Sequence, residues 1–79
     1  MTPRIVEARH VDGYRVAIRY EDGVAAVLDL EPELWGETFA PLRDVVEFRR
    51  FQVDPLFHTL VWPGGADLAP EFLYEKARG

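Results

Sequence analysis

Cysteine, serine and asparagine are all missing from this chain of 79 residues. Without cysteine there is neither a disulfide framework nor a thiolate metal site. The usual activated nucleophiles are absent too, and three threonines are left to take that role. Thr2 would become amino-terminal on methionine removal and could then act as its own base, but Pro3 and a fraying end make it a poor catalyst. Long apolar runs are also missing; a bilayer span needs roughly 20 apolar residues, and every run here is far shorter. The opening MTPRIVEARH has no apolar segment of the signal-peptide kind. These absences lead to the expectation of a soluble cytoplasmic protein.

Positive charge is scarce. Fourteen acids stand against nine bases, a net charge of −5. Residues 1–40 hold eight acids and four bases, residues 41–79 six and five, and the bases are interleaved with acids. An acidic domain lacks the long-range attraction to phosphate that dominates nucleic-acid affinity, so nucleic acid and anionic membrane are not expected partners. At this length residues 1–79 form one domain, which buries only about 60% of the surface that its unfolded chain exposes. No room is left for a second domain or a deep pocket. An apolar fraction of 48% places the chain among globular proteins.

Against these absences, the alternation of the first thirty residues is clear. In YRVAIRY, Tyr14, Val16, Ile18 and Tyr20 point one way, and Arg15, Ala17 and Arg19 the other. A period of two marks a strand with one buried face. RIVEARHV precedes it and VAAVLDL follows, joined through Asp12-Gly13 and Glu21-Asp22-Gly23. Asp-Gly is the only type I′ hairpin pair open to a chain without asparagine, because that turn needs positive φ at both central residues. A three-stranded antiparallel meander follows.

Beyond it, Pro32 and Gly36 break EPELWGETFAP, and PLRDVVEFRR reads as one or two helical turns starting near Pro41 or Asp44. FQVD reads as a short strand. FHTLVW, apolar on both faces, reads as a strand central to the sheet. PEFLYEKA closes the chain as a short helix with Phe72, Leu73 and Ala77 at helical spacing. The fold class is therefore α+β: a meander extended by one or two later strands, a short middle helix and a short C-terminal helix.

Few residues here suggest chemistry. His10 and His58 fall on different predicted strands without ligand spacing, and even with Glu7 or Asp67 beside them no metal site is expected. Asp22, Asp29, Glu31, Glu33 and Glu37 are plentiful carboxylates, but acid–base catalysis needs a cleft that pushes two pKa values apart. Turn and loop acids are solvated, so no catalytic residue and no cofactor is expected. The glycines of WPGG lack the partners of a phosphate loop or a dinucleotide fold.

The stretch WPGGADLAPE instead has a backbone reading. Trp62 ends a strand, Pro63 stops it, Gly64 and Gly65 reverse the chain, Asp67 caps a helix and Pro70 sits in its first turn. The competing reading is a shallow partner-binding surface built on Trp62 and the glycine turn.

The tail W-P-x-G-A-D-L-A-P behind two Asp-Gly turns resembles a bacterial domain-of-unknown-function family, the one numbered twenty-four forty-two. Similar positions are Asp22-Gly23, Asp29-Leu30, Phe39 to Leu42, Phe48, Val53-Asp54 and Trp62 through Pro70. Family members usually carry asparagine where this chain has Gly64. The resemblance implies a small α+β fold, no established activity, and members lying beside another small protein in what look like toxin–antitoxin gene pairs.

The leading functional reading is a non-enzymatic interaction module for a basic protein partner, as the acidic half of such a pair. Trp35 among Glu31, Glu33 and Glu37 is its sharpest anchor, with Trp62 a second. The competing reading, which the small size of the domain favours, folds Trp35 back over the open end of the sheet. The alternative function is a homodimeric structural domain paired through the first strand or through residues 51–54. A small-ligand protein or enzyme using Asp67, His58 and Trp62 ranks below both.

Overall fold

A computed structural model describes residues 2–79. Three strands form the meander: β1 (Ile5–Asp12), β2 (Arg15–Tyr20) and β3 (Ala25–Asp29), in the order β1-β2-β3, all antiparallel. The alternation of β2 has the expected outcome. Val16, Ile18 and Tyr20 are buried, Arg15 and Arg19 exposed. The turns differ from expectation, because only the glycine of each Asp-Gly pair takes positive φ, 44° at Gly13 and 95° at Gly23. Neither is a type I′ turn. In the second, Tyr20 and Val24 close a three-residue loop, the Tyr20 amide donating to the Val24 carbonyl and the Gly23 amide to the Tyr20 carbonyl. This is a turn followed by a left-handed glycine, the usual geometry of three-residue hairpins.

After β3 the chain makes 3₁₀ turns at Glu31–Glu33 and Ala40–Arg43 before the one-turn helix α1 (Val45–Phe48). Of the two starts the sequence offered, Pro41 falls in the 3₁₀ turn and Asp44 caps α1 by accepting from the Val46 amide. Strands β4 (Gln52–Val53) and β5 (Leu60–Val61) pair with each other as a second, two-stranded sheet, and helix α2 (Pro70–Arg78) closes the fold.

The α+β class stands, but FHTLVW is not a central strand of the meander. Phe57 and His58 belong to the turn before β5, where His58 holds a left-handed φ of 57° and its amide donates to the Asp54 carbonyl. The Asp54 carboxylate accepts the Leu56 and Phe57 amides, and this local turn takes the residues that a long strand would have used. What remains of β5 is central within its own small assembly. β4 flanks it on one side, and residues 66–68 return along the other through a Val61–Asp67 bridge.

Phe48 organises the core. It is 0% exposed, and its ring meets Tyr14 at 5.3 Å, Trp62 at 5.8 Å, His10 at 6.2 Å and Phe51 at 6.3 Å between centroids. Leu30, Leu34, Leu60 and Leu73 fill the space between meander, second sheet and α2. The radius of gyration is 11.6 Å, about the value of a compact globule of this length. No helix among the described residues is long and apolar enough to cross a membrane.

Candidate functional site

WPGGADLAPE is a second copy of the Glu21-Asp22-Gly23 hairpin. Trp62 and Ala66 close a three-residue loop, with the Trp62 amide donating to the Ala66 carbonyl and the Gly65 amide to the Trp62 carbonyl. Gly65, at φ 97°, occupies the position that Gly23 holds in the first loop, whereas Gly64 needs no positive φ. Pro63 sets the first corner, where its fixed φ fits and its missing amide is not needed. The returning residues 66–68 then pair with β5, the Leu68 amide donating to Leu60 and the Thr59 hydroxyl to the Leu68 carbonyl.

This pairing corrects the expected role of Asp67. It lies in the returning strand rather than at the helix cap, because Pro70 is the first helical residue and so makes Ala69 the N-cap, without any side-chain bond. Trp62 is corrected too. It is 4% exposed, and its indole N–H donates to the Phe48 carbonyl at 2.8 Å. It is a core residue and offers no surface to a partner.

Trp35 has the opposite fate. Leu34 enters the core at 3% exposure, and Gly36 at φ 83° turns the chain away. Trp35 between them is left 71% exposed. The reading in which it folds back over the sheet is overturned. The reason is spacing: a five-residue β3 followed by a 3₁₀ turn delivers Leu34, and not its neighbour, to the core.

Trp35 borders an open cleft of about 430 Å³ between the 33–39 loop and the start of α2. Phe39, Leu68 and Phe72 complete its apolar lining, while Glu33, Glu37 and Asp67 supply carboxylates. No lysine, arginine or histidine lines it, and among the described residues none of these three acids has an ion-pair partner. The structure thus gathers Trp35, Glu33, Glu37 and Asp67 from the residues singled out by sequence.

Other candidates fall elsewhere. Glu31 lies beside Tyr14 and Arg43 in a separate small recess, and Pro63, Gly64 and Gly65 are exposed in the hairpin loop. Sequence reasoning missed Phe39 and Phe72 as site residues. Helical spacing assigned Phe72 to the core, yet it is 39% exposed, because Leu73, Tyr74 and Ala77 make the face of α2 that packs on the core. His10 and His58 do not meet: the His10 Nε2 lies 2.8 Å from the Gly13 carbonyl oxygen, and among the described residues no group of three or more ligand-type side chains is placed to hold a metal ion.

Comparison with known proteins finds no matching curated protein and no matching solved structure. A family profile does match, over residues 5–79, and so covers the meander, the second sheet and the hairpin tail together. The chain belongs to the family described as Protein of unknown function (DUF2442).

Proposed function

We propose that this protein is a non-enzymatic interaction module whose cleft receives a basic side chain of a protein partner, with the protein acting as the acidic member of a toxin–antitoxin-like pair. The observation that carries the reading is Trp35, a large aromatic left 71% exposed on the wall of an apolar cleft. Tryptophan is the best aromatic face for a guanidinium or ammonium group, and it is enriched among residues that dominate binding energy. The carboxylates of Glu33, Glu37 and Asp67 match the same charge, and the net charge of −5 steers a basic partner toward the domain. Phe39 and Phe72 supply the apolar wall against which an arginine stem packs.

The test is capture of the partner at low expression in the native host, with the unaltered protein and Trp35→Ala compared side by side. A single stoichiometric basic protein is expected with the unaltered chain and none with the variant. Their thermal unfolding should agree within about 0.5 kcal/mol, the ordinary effect of an exposed substitution. Equal recovery of the partner by both chains, or recovery of no partner at all, rejects the reading.

A further inference from the structure

We infer that the free edge of β3 is a self-complementary dimerisation strand, pairing antiparallel with β3 of a second copy of this chain across a two-fold axis at Val27. The inference shares no residue with the Trp35 cleft and stands or falls independently of it.

The hydrogen-bond pattern shows which groups are free. The Tyr20 amide donates to Val24 and the Leu30 amide to Tyr14, so Val24, Ala26, Leu28 and Leu30 turn their backbone groups toward β2. By the alternation of an antiparallel ladder, Ala25, Val27 and Asp29 turn theirs outward. All three residues are exposed, Val27 at 54%.

The other edges are blunted. β1 carries register irregularities between Ile5 and Glu7 and between His10 and Asp12, whereas β3 follows β2 without a shift. Bulges twist an edge away from pairing, and charge or proline protects others. β3 has neither bulge nor lysine nor proline, and β4 and β5 are only two residues long. The expectation of pairing through the first strand or through residues 51–54 thus moves to β3.

Engaging all three outward residues at once then selects the register. A two-fold axis at Val27 places Val27 opposite Val27 and Ala25 opposite Asp29, and each such pair exchanges two bonds, for about six across the interface. The side chains agree with this register. Ala17 lies beside Val27, Arg19 beside Ala25 and Arg15 beside Asp29 on the outer face. One row across the axis therefore reads Ala17, Val27, Val27, Ala17, an apolar strip. The next reads Arg15, Asp29, then Ala25 and Arg19 of the second copy.

The small Ala25 leaves Arg19 room to reach the Asp29 carboxylate of the other chain. Among the described residues, Arg19 is held at home by no more than a loose, exposed 3.4 Å contact with Glu7. Asp29 keeps one oxygen engaged with the Glu31 amide and has the other available. Opposite charges meet at both ends of the strip and like charges nowhere along it, as a closed symmetric interface requires.

Sedimentation over protein concentration, with backbone amide exchange alongside, tests this. The unaltered chain should shift from 9.1 kDa toward twice that mass between about 1 μM and about 1 mM, the range of weak interfaces. Val27→Lys sets two ammonium groups face to face and should raise the dissociation constant at least about tenfold while circular dichroism stays unchanged. Trp35→Ala should leave it unaltered.

In the unaltered chain, exchange of the Ala25, Val27 and Asp29 amides should slow as concentration rises. That readout remains decisive even if Val27→Lys fails to fold. A monomer at every concentration overturns the inference, as does a dimer that a folded Val27→Lys leaves intact, or edge amides indifferent to concentration.

Discussion

Two tyrosines show how differently single hydroxyls are treated in so small a core. The Tyr14 hydroxyl donates to the Arg43 carbonyl and ties the meander to the 3₁₀ turn at Ala40–Arg43. The Tyr20 hydroxyl is buried with no partner among the described residues, and that desolvation, helped by Tyr74 and Asp22, pushes its pKa up to about 12. A buried hydroxyl left unpaired costs roughly 1–3 kcal/mol, while the ring that carries it packs edge-on to Tyr74 at 4.9 Å. Tyr20→Phe keeps the ring and removes the burden. Urea unfolding should therefore show stability unchanged or raised by about 1 kcal/mol. A loss beyond about 1 kcal/mol would mean that the hydroxyl does find a partner in solution.

The two three-residue hairpins make a matched experiment on elements. Gly23 and Gly65 hold φ of 95° and 97°, and among the described residues nothing beyond the two flanking ones lies within 4 Å of where a Cβ would stand at either. Strain, without any clash, then sets the cost. Gly23→Ala and Gly65→Ala should each lose about 1–2 kcal/mol. Gly64, equally open and without positive φ, should accept alanine with no loss or a gain of about 0.4–1 kcal/mol from the stiffer unfolded chain. Denaturant midpoints of the three variants decide this. Equal losses at Gly64 and Gly65 would put the left-handed residue in the wrong place.

Over the whole molecule, charge sets the working range. The carboxyl of Asp22 is held below its usual range by the Tyr74 hydroxyl and the Val24 amide, that of Asp54 by the Phe57 and Leu56 amides, and that of Asp12 by Arg15. Each depressed carboxyl contributes stability that is complete above the usual carboxylate range and is lost as pH falls through the folded-state pKa. At the alkaline end the sign reverses. Tyr20 keeps its proton in the folded state to about pH 12, while an unfolded tyrosine releases it near pH 10, so stability falls across that interval.

The urea midpoint should thus be flat around neutrality, with an acid limb below about pH 4 and an alkaline limb above about pH 10. Asp54→Asn should shallow the first limb, and Tyr20→Phe the second. Limbs that both variants leave unchanged would assign the titration to other groups.

Much of this was legible because it is local. The period of two in YRVAIRY, the placing of loops at the Asp-Gly pairs, the helical turn after Pro41 and Asp44 and the short closing helix each rest on a few neighbouring residues and on backbone sterics that act wherever those residues stand. The three-stranded order follows for the same reason, since short loops leave consecutive strands no other neighbours.

The fates of the two tryptophans, by contrast, depended on packing. Both end apolar stretches beside a proline or glycine. Trp62 is buried because the Phe48 carbonyl and ring stand 14 positions away in the chain to receive it. Trp35 is exposed because Leu34 takes the place in the core next to it. The second sheet and the cleft arise in the same way. β5 is drawn from the meander by the Asp54 turn and by its pairing with residues 66–68, and Phe39, Phe72 and the three acids become neighbours only once that pairing brings α2 against the 33–39 loop. Local sterics act over a handful of residues and are written in the sequence one stretch at a time. Competition for a single core of limited volume involves the whole chain at once, and only the folded arrangement resolves it.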